Sequence, residues 1–354
     1  MKVKEATKAY ETFLHAHLPV VEGDLELKHK QMSAAVFPFL RSTFYRWSAI
    51  FRESCADLAR APELLAVGDL HVENFGTWRD IEGRLTWGIN DVDEAQAMPY
   101  TIDLVRLATS ALLAAQEAKL PFAFEDICTA ILTGYAEWLD KGGRPFVLEE
   151  EHGWLRVLAT GALRDPVAFA AKMDKLKTAE PPKAAAEILT AHLPKGAQVK
   201  RFAARTAGLG SLGRPRYVAL AELSGGQVVR EAKSTLPSAW TWSLGQDDAP
   251  LRCGEILAKA VRCADPCSSF EKGWAIRRLG PHCSRVELTE LPHRNDDLKL
   301  VKAMGRETAN VHLGSKDAID AVKRDLAQRP AKWLFHAATA MADATRADWA
   351  DWKA

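Results

Sequence analysis

The run Gly68-Asp69-Leu70-His71-Val72-Glu73-Asn74 places an aspartate and an asparagine in one loop, directly after a short apolar stretch. In phosphoryl transfer an aspartate so placed accepts or orients the proton of the attacking hydroxyl, and the asparagine oxygen binds Mg2+. An amide oxygen suits this hard cation, which keeps part of its water shell. Gly, Asp and Asn are also ordinary turn residues, so a plain turn is the competing reading. Next along the chain, Asn90-Asp91-Val92-Asp93-Glu94 closes an alternating segment. On a strand Asp91 and Asp93 point the same way. Clustered carboxylates repel unless a cation sits among them, so one or two divalent metals fit here. A solvated acidic turn is the alternative.

A third group begins at Gly208-Leu209-Gly210-Ser211-Leu212-Gly213. Such a glycine spacing either opens a helix that holds a pyrophosphate or forms a hairpin tip whose amides cover ATP phosphates. The flank Arg216-Tyr217-Val218-Ala219-Leu220 has period two and β-forming residues, which favours the hairpin. Glu231 stands where a ribose-binding acid would, so the dinucleotide reading stays open. The strand-like Val228-Val229-Arg230-Glu231-Ala232-Lys233 ends in a lysine able to reach α/β-phosphates. Glu255, on the next helical segment, is its candidate partner or else a surface charge. Arg41, Arg216, Arg277 and Arg278 offer bidentate anion contacts, and His71 is either a substrate contact or structural. Cys253, Cys263, Cys267 and Cys283 cluster near His282, but without C-x-x-C spacing they read as buried thiols ahead of a zinc site.

The elements that must position these residues follow from periodicity. Residues 1–60 read as helices, with Phe37, Leu40, Phe44, Trp47 and Phe51 at helical spacing. A short apolar run leads to a sharp turn at Gly68, and Leu85, Trp87 and Ile89 alternate as a strand. Segments 101–119 and 123–140 read as buried helices, and 175–198 as a helical, partly flexible connector. From 202 to 233 the texture becomes a β-meander that turns at Ser224-Gly225-Gly226. Helical periodicity returns at 251–263, a strand follows at 274–279, and helices run from 295 onward. The chain has 354 residues, enough for two lobes, with 47 basic against 46 acidic residues. That balance removes the bulk-charge argument for nucleic acid or an anionic membrane surface. The longest apolar stretch, 104–115, is broken by Arg106 and Thr109, and neither a membrane span nor a signal peptide is expected. Six cysteines make no disulfide framework, so a reduced cytoplasmic setting is expected.

Taken together, VGDLHVEN, NDVDEA, the glycine run and REAK resemble the protein-kinase-like superfamily, especially its aminoglycoside and choline kinase branch. That branch's catalytic loop reads H-G-D-L-H-x-x-N, and Val67 stands here in place of its histidine. The resemblance implies that Asp91 is a metal ligand and that Asp103, at a helix start, braces the catalytic loop. It also implies a circular permutation, because the glycine run and Lys233 follow the catalytic loop instead of preceding it. The 304–313 segment resembles the helix that normally leads into that loop. Cut termini are tolerated where they lie near each other at the surface. Across roughly residues 25–320 the chain is also similar to the uncharacterised bacterial family called domain of unknown function 2252. The landmarks are Phe37-Pro38-Phe39-Leu40-Arg41, GDLHVENFG, NDVDEA, AGLGSLG and REAK.

The resulting expectation is an α+β, bilobal, permuted kinase-like fold. Residues 1–199 form the first part of the helical lobe, 200–279 a small antiparallel nucleotide-binding lobe, and 280–354 the remainder of the helical lobe. The implied activity is an ATP- and Mg2+-dependent phosphotransferase acting on an unidentified hydroxyl or similar acceptor, either a small molecule or a protein. Asp69, Asn74 and Lys233 would act in catalysis, and Asn74, Asp91 and Asp93 on the metal. Gly208, Gly210, Ser211, Gly213, Lys233 and Glu255 would hold the nucleotide, with backbone around 277–280 as a hinge against adenine. The alternatives are AMP transfer from the same fold and a non-catalytic nucleotide-binding regulator.

Overall fold

A computed structural model describes residues 1–119, 123–149, 152–161, 165–285 and 296–354, and shows a mixed helix-and-sheet α+β protein. Residue 295, where the last helical stretch was expected to begin, lies outside the described residues. The chain opens with α1 (Val3–His17), α2 (Glu22–Ala34), α3 (Val36–Ser42) and α4 (Phe44–Ser54). Four short strands follow: β1 (Glu63–Ala66), β2 (Phe75–Arg79), β3 (Leu85–Ile89) and β4 (Gln96–Pro99). Then come α5 (Thr101–Glu117), α6 (Phe124–Lys141), β5 (Phe146–Val147), α7 (Gly153–Gly161), α8 (Pro166–Asp174) and α9 (Lys183–Ala191).

The second half holds β6 (Gln198–Ala204), β7 (Arg216–Leu223), β8 (Gly226–Ser234), α10 (Ala239–Trp242), α11 (Cys253–Lys259), β9 (Ser269–Glu271) and β10 (Trp274–Leu279). It ends with α12 (Asp296–His312), α13 (Ile319–Gln328) and α14 (Trp333–Lys353). No described helix is long and apolar enough to cross a membrane.

The principal core is helical and centres on α5. Every residue from Thr101 to Ala115 is buried there, including an arginine, Arg106. α6, α12 and α14 pack around this helix, the antiparallel β1/β4 pair lies at its N-terminal end, where the Tyr100 amide donates to the Pro62 carbonyl, and β3 of the antiparallel β2/β3 pair packs against α12. A five-stranded antiparallel sheet in the order β6-β7-β8-β10-β9 carries a second core. Strand residues alternate faces, and this sheet uses both. Phe169 and Met173 of α8 cover Val218, Leu220, Val229 and Leu279 on one face. Ile188 and Leu189 of α9 cover Ala219, Ala232, Trp274 and Ile276 on the other.

Two boundaries therefore differ from the sequence-based expectation. The 175–198 connector is a cover for the sheet, because α9 buries its apolar stripe there. The 236–256 stretch leaves the sheet: Leu236, Trp240, Cys253 and Ile256 belong to the helical core.

Candidate functional site

The loop after β1 is held from below. Asp103, in the first turn of α5 and fully buried, accepts the amides of Val67 and Gly68, each at 2.7 Å. His312 at the end of α12 donates Nε2 to the same carboxylate at 2.9 Å, while the Tyr135 hydroxyl engages its Nδ1 at 2.8 Å. The chain leaves this clamp through Gly68 with φ +87°, and its next residue is Asp69. Asp69 Oδ1 accepts both Nε (3.0 Å) and Nη2 (2.6 Å) of Arg106. Arg106 also donates to the Leu40 carbonyl at 2.7 Å and lies 4.8 Å over the Trp47 ring. Burial pushes the Asp69 carboxyl up from its ordinary value, and Arg106 opposes that.

Residues Val72–Asn74 form a short 3-10 turn, capped where His71 Nδ1 accepts the Glu73 amide at 3.2 Å. Burial, reinforced by Arg41, Arg106 and Arg285, holds His71 well below its usual range, so it is neutral. Asn74 donates Nδ2 to the Asp69 carbonyl at 3.0 Å. Its Oδ1 is buried without a hydrogen-bond partner.

The acidic segment lies beside it. β2 and β3 pair up to Phe75 and Ile89, and the Asn90 amide donates to the Asn74 carbonyl at 2.9 Å. Asp91 and Asp93 are not on the strand as expected. β3 ends at Ile89, and a turn closed by Ala95 N to Val92 O follows. Both carboxylates nevertheless converge on Lys233 of β8: Asp91 Oδ1 is 3.3 Å from Nζ, and Asp93 pairs with the same ammonium. Asp93 lies 3.6 Å from Arg214 as well. Burial raises the Asp91 carboxyl, but Lys233, Arg277 and Arg216 more than offset this and leave it at about 2. Glu94 accepts from Ser238 Oγ at 2.9 Å and pairs with Arg214 at 3.3 Å.

Sheet register explains how Lys233 reaches this place. Along β8, Val229, Glu231 and Lys233 share a face. Their cross-strand neighbours are Leu220, Val218 and Arg216 on β7 and Leu279, Arg277 and Ala275 on β10. α8 covers the Val229 end, and the Lys233 end faces a cavity of about 550 Å³. Between them the fully buried Glu231 carboxylate binds Arg216 and Arg277, each at 2.7 Å, and also Arg205. Burial raises Glu231, yet these three guanidiniums hold it well below the carboxylate range.

The glycine run is the β6–β7 hairpin loop, as the flanking alternation predicts. Gly208 and Gly213 have φ of +76° and +94°, which a side chain would strain. A β-carbon at Gly210 would lie 2.9 Å from the Arg41 carbonyl and 3.7 Å from Asp69 Oδ2, so the loop tip abuts the aspartate. Arg216 donates to Ser211 Oγ at 2.8 Å and so ties this loop to Glu231.

One cavity thus brings together Asp69, Asn74, Asp91, Asp93, Gly208, Gly210, Ser211 and Lys233, whereas Gly213 is not among its lining residues and packs toward Leu25 and Val20. Its described lining carries ten lysine or arginine side chains against six carboxylates, an excess suited to a polyanion. Glu255 is not the partner of Lys233. It is bound by Arg252 at 2.6 Å and by Lys259 at 2.7 Å, because the helix turn brings those two bases to it while Lys233 is occupied by Asp91 and Asp93. Among the described residues no three His, Cys, Asp or Glu side chains converge as a metal site, the cysteines included.

The family model described as "Uncharacterized protein conserved in bacteria (DUF2252)" matches residues 21–152 and 149–354. The chain belongs to this family. No curated protein and no solved structure matches it. In this DUF2252 chain, site residues that escaped the sequence reading include Arg106, Arg214, Arg205 and Lys28. Arg106 left a usable signal, since a lone arginine inside an apolar helix needs an acid, and here that acid is Asp69. Arg214 left none, because it borders the glycine run, and Glu94, read with the acidic cluster, is instead taken up by Arg214 and Ser238.

Proposed function

We propose that this protein is an ATP- and Mg2+-dependent phosphotransferase with a permuted kinase-like arrangement, in which the nucleotide lies between the sheet and the helical body. One observation carries the reading. Lys233 Nζ and Asp91 Oδ1, far apart in the sequence, stand 3.3 Å apart in a cavity that also holds Asp69 and the glycine loop. A lysine on the third strand after a glycine-rich hairpin, set against an Asp/Asn loop, is the combination that phosphoryl transfer uses.

The donor set fits magnesium. Asn74 Oδ1 is a buried acceptor without a partner, and the Asp91 carboxylate is 45% exposed toward the cavity. A cation that prefers oxygen ligands and retains waters can use one amide, one carboxylate and substrate phosphates. Asp93 fits less well than expected, because Lys233 and Arg214 both hold it. When bound, magnesium supplies neutralisation of phosphoryl charge.

The protein's own groups do the rest by positioning and electrostatics. Lys233 neutralises α/β-phosphate oxygens, and backbone amides of the 208–213 loop cover the phosphates. Arg106 fixes Oδ1 of Asp69, which leaves Oδ2 to orient the acceptor hydroxyl and take its proton. Burial raises the Asp69 carboxyl, the direction that favours proton uptake.

The test is turnover of ATP labelled at the γ-phosphate, with products identified by mass. Transfer or hydrolysis in the wild type and its loss in Asp69→Ala are expected. Equal rates in the two would remove the assigned role of Asp69, and an AMP-carrying product would reassign the reaction.

A further inference from the structure

The α2 helix buries only three residues, Leu25, Lys28 and Met32, so its inward stripe carries a lysine at its centre. Lys28 is 3% exposed. No carboxylate lies within ion-pair distance among the described residues. Among the described residues its one hydrogen bond is a long one, 3.5 Å, to the Gly210 carbonyl, and its ammonium lies 5.7 Å from the centre of the Tyr45 ring. Lys233, buried to a similar degree, is held by two carboxylates. An ammonium has three donors, and burying one without a counter-ion is costly. The surrounding charges do not resolve this. Arg214 repels Lys28, while Glu11, Asp69 and Glu94 attract it only from a distance. Burial lowers the ammonium to about 8, so it stays largely charged at neutral pH.

Lys28 also lines the cavity together with Arg41, Asp69 and Gly210. Gly210 is the glycine whose β-carbon would approach Asp69 Oδ2. The unsatisfied donors therefore stand where the glycine loop meets the aspartate. We propose that Lys28 is a phosphate-binding residue, its ammonium taking a phosphoryl oxygen at the Asp69 end of the cavity. An anion with several oxygens suits it, since one oxygen can replace the missing counter-ion while others engage the loop amides. The phosphotransferase reading is needed only to say which molecule carries that phosphate. On that reading it is the nucleotide's terminal phosphate, beside the group that receives the acceptor hydroxyl. The alternative carrier is a phosphorylated acceptor.

The experiment compares the full-length wild type, Lys28→Met and Lys28→Arg by calorimetric titration with pyrophosphate, Mg·ATP and Mg·ADP, and with inorganic phosphate on the ADP-loaded protein. A lost charge-assisted bond to phosphate predicts weaker binding by about tenfold or more in Lys28→Met. A loss confined to pyrophosphate and ATP, with ADP unchanged, assigns the nucleotide's terminal phosphate. A loss confined to inorganic phosphate on the ADP complex assigns an acceptor-borne one. Lys28→Arg keeps the charge and recovers much of the affinity, and it serves if the methionine variant does not fold. A wild type that binds pyrophosphate through Lys28 but neither nucleotide keeps this site and removes the phosphotransferase reading. Equal affinities for every phosphate ligand in the wild type and Lys28→Met overturn the proposal.

Discussion

Arg106→Leu separates the roles of the buried pair beneath the loop. The guanidinium is fully buried and makes two bonds to Asp69 Oδ1 and one to the Leu40 carbonyl. Leucine leaves that carbonyl unpaired and Asp69 without its cation. Removing one partner of a buried ion pair costs about 3–5 kcal/mol. Unfolding entropy near 2.1 cal/mol/K per residue gives about 0.7 kcal/mol/K for a chain this long, so Tm should fall by about 4–7 °C. The loss should depend on pH with a definite sign. Burial already holds the folded Asp69 carboxyl above its unfolded value, and Arg106 is the largest opposing influence. Without Arg106 the folded value rises further, so the folded state binds more protons than the unfolded state. Stability is then favoured below the unfolded carboxyl value, about 4, and is lost as pH climbs through the raised folded one.

Thermal and urea melts at pH 5 and pH 8 read this directly, and the penalty should be larger at pH 8. Asp69→Asn provides the cycle: Arg106→Leu should cost about 1–3 kcal/mol less in that background, because the stranded charge is gone. A penalty that is the same at both pH values, together with additive single and double variants, would refute the pairing as the source of the effect.

Glu231→Gln leaves three guanidiniums around a neutral amide. It should cost about 3–5 kcal/mol, seen as a lower urea midpoint with an unchanged slope. Gly213→Ala forces a side chain onto φ +94° with its β-carbon 2.9 Å from Leu25 Cδ2, and should cost about 1–3 kcal/mol. Gly23→Ala in α2, where a β-carbon meets nothing within 4 Å, should be neutral or stabilise by up to about 1 kcal/mol, and the paired melts test the contrast. Under the proposed function, Asn74→Ala should raise the Mg2+ concentration needed for half-maximal ATP turnover by about tenfold, one hard-oxygen ligand being lost. Its ATP binding in a chelator should match the wild type in a titration.

Much of the local structure was legible because single residues announced it. The alternation of Leu85, Trp87 and Ile89 gave β3, and the glycine run flanked by a period-two segment gave the β6–β7 hairpin. WAIRRL gave β10 with its bounds intact. The Asp/Asn loop could be named because its motif residues sit close together in the chain, whereas its brace, Asp103, is distant in sequence and was expected only from the resemblance. What stayed hidden depended on tertiary distance. α9 reads as a connector until the sheet face that it covers is known. Glu255 reads as a partner for a lysine until Lys259 of its own helix and Arg252 just before that helix engage it. Glu231 suggested a ribose contact, yet three arginines from β7, β10 and the glycine hairpin meet on it, a convergence that depends on strand register.

The ion pairs in the cavity bear on how a nucleotide and a metal would enter it together. Lys233 is satisfied by Asp91 and Asp93, so phosphate oxygens must take that ammonium from carboxylates already holding it. Asp91 is ionised across the physiological range, since its carboxyl lies at about 2, but part of its charge is engaged by Lys233. A nucleotide alone would strip Lys233 from Asp91 and leave a bare carboxylate beside phosphates. A divalent ion alone would strip Asp91 from Lys233 and leave an ammonium beside a cation. Either exchange alone leaves like charges together, and the two at once re-pair every group. Under the proposed function the ion pair thus couples the two ligands, typically by about 1–3 kcal/mol and equally in both directions. On that reading the exchange involves Lys233 and Asp91 alone, since the Glu231 cluster and the Arg106–Asp69 pair are paired among themselves.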